Sequence, residues 1–100
     1  DVVMAGHEHD YERLEADGLP YFVNGLGGAE KYQFGTPLPE SQVRYNDDYG
    51  AMRVTASKSG ITYEFWSAAG DKVEMFGDPN DYNNGVGQVG VRILSWREVR

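Results

Sequence analysis

Cysteine is absent from this 100-residue chain, so no disulfide framework supports the fold and no thiolate is available as nucleophile or metal ligand. No apolar run reaches the roughly 18 residues that a spanning helix requires, so no membrane span is expected. Cations are scarce: nine Lys and Arg stand against sixteen Asp and Glu, a formal charge of −7 at pH 7. A nucleic-acid backbone is bound by clustered cations that displace its counterions, and no such cluster occurs here, which argues against a nucleic-acid partner. An anionic substrate would need a local positive centre, and a bound metal can supply one. Histidine is rarer still. The chain has two, and both lie within Gly6-His7-Glu8-His9-Asp10-Tyr11-Glu12-Arg13.

Helical periodicity is also missing, since no window sustains a 3.6-residue apolar repeat over three turns. The pattern is strand-like instead. Val2-Val3-Met4-Ala5 reads as a short buried strand ended by Gly6, and Asp17-Gly18-Leu19-Pro20 is a turn signal before a second apolar strand, Tyr21-Phe22-Val23. Residues 35–48 hold two prolines and many polar groups and read as a long surface loop. The best hairpin runs from Ala51 to Ala56 and from Ile61 to Trp66, around the four-residue turn Ser57-Lys58-Ser59-Gly60. Its alternation predicts a half-buried pair with one apolar face. Val73–Phe76 follows as a third strand, and Val89, Val91 and Ile93 suggest one more. A chain of this length is at most one ordinary domain. Asp1 leads straight into an apolar strand, which suggests a piece of a longer protein.

In an extended segment, residues two apart share a face, so His7 and His9 are expected on one side with Cα atoms roughly 6.5 Å apart at about 3.3 Å per residue. Imidazoles so placed can grip one metal, or take one each of two metals about 3.5–4 Å apart. Glu8, Asp10 and Glu12 are available as acceptors that orient a ligating ring. The bland alternative is a polar strand end where both rings meet solvent or an acidic neighbour. Two imidazoles do not complete a site, because zinc or iron takes four to six ligands.

The octapeptide after an apolar strand resembles the last metal-ligand motif of the calcineurin-like metallophosphoesterases. Its ending, Tyr11-Glu12-Arg13, is similar to the purple-acid-phosphatase-like branch. Tyr21-Phe22-Val23 running into Asn24-Gly25-Leu26-Gly27-Gly28 also resembles that branch, as do the strands 50–56 and 61–68. The resemblance implies an α/β family fold, a two-sheet β sandwich flanked by helices. Residues 1–76, mostly β, would be the C-terminal portion of that catalytic domain, and 77–100 a linker plus a terminal strand or the start of another domain. It further implies a dinuclear centre of divalent or trivalent ions (iron with zinc, manganese or iron), with His7 on one metal and His9 on the other.

A metal-bound hydroxide would then hydrolyse a small phosphate-ester substrate. Asp10, Tyr11, Glu12 and Arg13 would act behind the metals and steady the histidine loop, while Asn24, Gly25, Gly27 and Gly28 would form a turn beside it. The family's Asp-x-His, Gly-Asp and Gly-Asn-His elements precede this motif, so the remaining ligands are expected from the rest of the same domain upstream. Gly70-Asp71 and Gly77-Asp78 follow His9 and therefore do not take those roles. No residue of the chain is expected to be catalytic by itself. Relatives of this type suggest secretion or a periplasmic location.

Other readings are weaker. Asn24–Gly28 lacks the third glycine of a dinucleotide fingerprint, so a tight turn packed near the histidine loop is the better expectation. The Asx-rich segment 78–85 fails EF-hand spacing at Tyr82 and reads as a turn or linker rather than a calcium loop. Tyr63, Phe65, Trp66 and Trp96 read as packing residues. The function class that competes with a phosphoesterase is a non-enzymatic β-rich module for metal binding or protein interaction.

Overall fold

The computed structural model of the chain describes residues 2–77 and 91–93. Eight strands fall in that range: β1 (Val2–Ala5), β2 (Tyr11–Ala16), β3 (Leu19–Asn24), β4 (Ser41–Tyr45), β5 (Gly50–Ser57), β6 (Gly60–Ser67), β7 (Lys72–Phe76) and β8 (Val91–Ile93). They form a five-stranded sheet in the order β4-β2-β3-β1-β8 and a three-stranded sheet in the order β5-β6-β7. The chain is thus mostly β in two sheets, with no helix among the described residues. The Asx-rich segment 78–85, Val89 and Trp96 lie outside the described residues.

The first sheet is mixed. β1 runs parallel to β3 and to β8, while β2 runs antiparallel to both β3 and β4. β2 and β3 form a hairpin closed by Asp17 and Gly18, whose φ angles of 53° and 76° are both left-handed. That pairing of conformations matches the right-handed twist of the flanking strands, and an Asp-Gly pair adopts it readily. The turn signal at residues 17–20 therefore belongs to a two-residue hairpin turn, and it brings the charged stretch Tyr11–Ala16 into a strand.

Residues 35–48 are not one continuous loop. Ser41–Tyr45 pairs with β2 as β4, with Val43 and Tyr45 packed on the core. The Ser41 hydroxyl donates to Glu12 Oε2 at 2.5 Å, Arg44 Nε lies 3.2 Å from the same oxygen, and the Glu15 amide donates to the Glu40 carbonyl. Composition missed the strand because its polar side chains find partners on β2 rather than water.

The β5-β6 hairpin is tighter than expected. Ser57 pairs with Gly60, leaving Lys58-Ser59 as the whole turn. Its two strands are also unequal. β6 is the central strand, and Thr62 (6% exposed) and Glu64 (7%) are buried on the face that alternation assigned to solvent. Glu64 tolerates this because Arg53 Nη2 lies 2.8 Å from its Oε1 and Lys72 Nζ 3.7 Å from its Oε2. Val54 on β5 is 42% exposed instead. Trp66 is half-buried, with Arg53 and Lys72 each 5.8 Å from its ring.

The two sheets meet through rings. Tyr11 stacks on Phe65 at 4.2 Å and Phe22 lies on Tyr63 at 4.7 Å, with Val2, Leu26 and Ile61 completing the buried cluster. One carboxylate ties the layers together. Glu74 on β7 accepts from the Tyr11 hydroxyl at 2.5 Å and from Arg13 Nε at 2.8 Å. A buried carboxylate is costly unless bonded, and here each oxygen is bonded from the opposite sheet.

Candidate metal centre

β1 and β2 run in opposite senses with β3 between them, so the chain must reverse over the end of β3. Residues 6–10 make that reversal. An extended segment cannot, and the expected extended geometry with both histidines on one face is not what the chain adopts. Residues 7–10 are a succession of bends, with His7 left-handed at φ 78° and the Asp10 amide bonded to the Glu8 carbonyl at 2.8 Å. Histidine is among the side chains that enter this region more readily than most.

The reversal rests on the turn after β3. The Gly25 amide donates to the Asp10 carbonyl at 2.9 Å. A Cβ at Gly25 would stand 1.9 Å from the Glu8 carbonyl oxygen and 3.3 Å from the His9 Cα, so only glycine allows the two loops to approach this closely. Asn24 pairs with Tyr11, and its carbonyl lies beneath Gly6. Leu26 turns inward and is fully buried, and its carbonyl accepts from the Gly50 amide. Gly27 and Gly28 are exposed with open space around them. Of the four turn residues singled out by sequence, Asn24 and Gly25 meet the histidine loop, and Gly27 and Gly28 are exposed.

His7 is exposed and His9 half-buried. His9 Nδ1 lies 2.6 Å from the Glu30 carbonyl oxygen. A carbonyl only accepts, so Nδ1 carries the proton and the lone pair of the neutral ring is on Nε2. The ring also stacks on Tyr32, with centroids 4.1 Å apart and planes at 23°. Asp10 is buried, and its Oδ1 has no hydrogen-bond partner. Burial first, then the charges of Glu12 and Glu8, push its carboxyl up to about 6, against the opposing pull of Arg44 and His9.

The next three residues of the octapeptide split between two faces of β2. Tyr11 and Arg13 point into the molecule and bind Glu74 across the sheets, so their hydrogen bonds and ion pair join layers rather than touching the imidazoles. Burial and the bond to Glu74 raise the Tyr11 hydroxyl above its ordinary range. Glu12 faces the other way and binds Ser41 and Arg44. The contacts that do hold His9 come from Glu30 and Tyr32, which sequence reading passed over. No motif marks them, since any residue supplies a carbonyl and Tyr32 is one of seven tyrosines.

Among the described residues, no group of three or more His, Asp or Glu side chains is arranged to hold a metal ion. The two histidines therefore offer at most part of a coordination shell. No helix among the described residues is long and apolar enough to cross a membrane. Comparison with protein-family models, with curated proteins and with solved structures gives no match to this chain.

Proposed function

We propose that this chain is the C-terminal part of a dinuclear-metal phosphoesterase, with His7 and His9 each contributing to one of two metal ions. The observation that carries the reading is the bond from His9 Nδ1 to the Glu30 carbonyl. A ligating histidine almost always has its second nitrogen held in this way, which fixes the tautomer and points the other lone pair outward. The octapeptide that resembles the metallophosphoesterase motif supplies the substrate class, phosphate esters.

A metal pair, such as iron with zinc, manganese or iron, would supply Lewis-acid activation of water and offset charge developing on the phosphoryl group. The chain's own residues do the holding. Gly25 lets the histidine loop lie against the end of β3, the Glu30 carbonyl keeps the His9 tautomer, and the bond network of Tyr11, Arg13 and Glu74 keeps the sheet beneath from shifting. The other ligands, an upstream bridging carboxylate among them, belong to the rest of the same catalytic domain. The flanking helices of that domain are part of the same proposal.

The competing reading, a binding module without catalysis, is favoured by one observation: among the described residues the two histidines gather no third ligand. Calorimetric titration with zinc, paired with an aryl phosphate assay, tests the phosphoesterase reading. The phosphoesterase reading expects weak zinc binding that His9→Ala abolishes, and no appreciable turnover by these 100 residues alone. Binding that survives both His7→Ala and His9→Ala, or strong metal-dependent turnover by the isolated chain, would contradict it.

A further inference from the structure

We infer that Tyr32 is a positioning residue for His9, clamping both its backbone and its ring so that Nε2 is presented in one tautomer and one orientation. The inference rests on the reading of His9 as a metal ligand and adds to it the device that readies the ligand.

Three contacts converge on His9 from a single short segment. The Tyr32 amide donates to the His9 carbonyl at 2.9 Å, His9 Nδ1 donates to the Glu30 carbonyl at 2.6 Å, and the two rings stack at 4.1 Å. The first fixes where the His9 backbone lies, the second fixes rotation about the ring bond, and the third closes one ring face. An imidazole held by its Nδ1 bond alone could swing away and exchange tautomers whenever that bond opened. The stack removes this freedom, because the ring cannot turn without leaving the tyrosine face.

The clamp is itself anchored. Asn46, immediately after β4, donates through Nδ2 to the Tyr32 carbonyl at 2.8 Å, and Lys31 lies over the Tyr49 ring at 4.6 Å. Segment 30–32 is thereby tied to the connection between β4 and β5, so it holds His9 against the framework. Tyr32 is 39% exposed and stands outside the buried aromatic cluster, so its ring contributes little to the core. What it does contribute is a surface for the imidazole.

The test is long-range proton–nitrogen NMR of the histidine rings in the metal-free protein, run on wild type, Tyr32→Phe and Tyr32→Ala, with zinc calorimetry on the same samples. Wild type and Tyr32→Phe should show a single Nδ1–H form of His9. Tyr32→Ala should show exchange between tautomers and a loss of zinc affinity on the order of 10- to 100-fold, as when an orienting partner of a ligating histidine is removed. Its melting temperature should stay near wild type. Tyr32→Ala that keeps one Nδ1–H tautomer and full zinc affinity would overturn the inference, as would Tyr32→Phe behaving like Tyr32→Ala. Wild-type protein that shows the single tautomer, lost in Tyr32→Ala, yet takes up no zinc would overturn the metal reading while upholding the clamp.

Discussion

Two ring stacks in this molecule have nearly the same spacing and opposite surroundings. Tyr11 and Phe65 lie 4.2 Å apart, 1% and 0% exposed, between the sheets. His9 and Tyr32 lie 4.1 Å apart at the sheet end, with Tyr32 39% exposed. The buried stack excludes water from a large apolar area and so stabilises the fold, whereas the exposed one removes little area from water and mainly restricts orientation. The same contact serves stability in one place and positioning in the other. Burial decides which.

The largest effect is expected at the buried stack. Phe65→Ala should cost about 3–5 kcal/mol, since it deletes a fully enclosed ring and leaves a cavity, and urea denaturation reads the loss directly. A cost below about 1 kcal/mol would mean that the sheets are not packed through these rings. Tyr11→Phe keeps the stack and removes only the bond to Glu74, so it should cost less, about 1.5–3 kcal/mol for a hydrogen bond to a charged group. Glu74→Gln as stable as wild type in the same denaturation would show that the interlayer bonds contribute nothing.

Gly25→Ala acts at the end of the sheet, beside the histidine loop. The added Cβ meets the Glu8 carbonyl at 1.9 Å, and forcing the loops apart should cost about 1–3 kcal/mol, the range seen when extra atoms are inserted into packed sites. Amide shifts should change over residues 6–10 and 24–25 while those of β5 to β7 stay put. Uniform changes through both sheets would deny that the loop is a separate unit.

A further effect is a pH slope from Asp10. Its folded carboxyl titrates near 6, above the ordinary value of 3.8, so the folded chain holds this proton more tightly than the unfolded chain does. Protonation therefore stabilises the fold. This contribution is absent well above pH 6, grows as pH falls from about 6 towards 4, and is complete below that window. Asp10→Asn should flatten that part of the stability profile. An unchanged slope would place the unpartnered carboxylate in water.

The buried strands were legible in the sequence as strands, Val2–Ala5 and Tyr21–Val23 from their apolar runs and the 51–66 hairpin from its alternation. Alternation mis-assigned the faces of that hairpin, since Thr62 and Glu64 are buried and Val54 is exposed. Where the reading failed, tertiary partners overrode local character. Tyr11–Ala16 and Ser41–Tyr45 are rich in polar groups yet form strands, because Glu12 meets Arg44 and Ser41, and Arg13 meets Glu74. The Asp17-Gly18 pair was the available signal for the first of these, since that dipeptide closes two-residue hairpins.

The histidine loop was legible in its residues but not in its geometry. Its bends follow from a chain reversal over β3, which no local pattern encodes. Apart from Gly25 and the Tyr32 ring, its restraints are carbonyl and amide groups of residues 25, 30 and 32, and backbone groups leave no mark in residue type.

In the proposed centre His9 presents Nε2 while Nδ1 stays on the Glu30 carbonyl. Zinc titration of nitrogen-15-labelled protein, followed at the His9 ring nitrogens, tests this most directly. The expected result is that Nε2 shifts in step with zinc uptake while Nδ1 remains protonated. Saturation with zinc that leaves Nε2 unmoved, or coordination through Nδ1 with loss of the Glu30 bond, would contradict it.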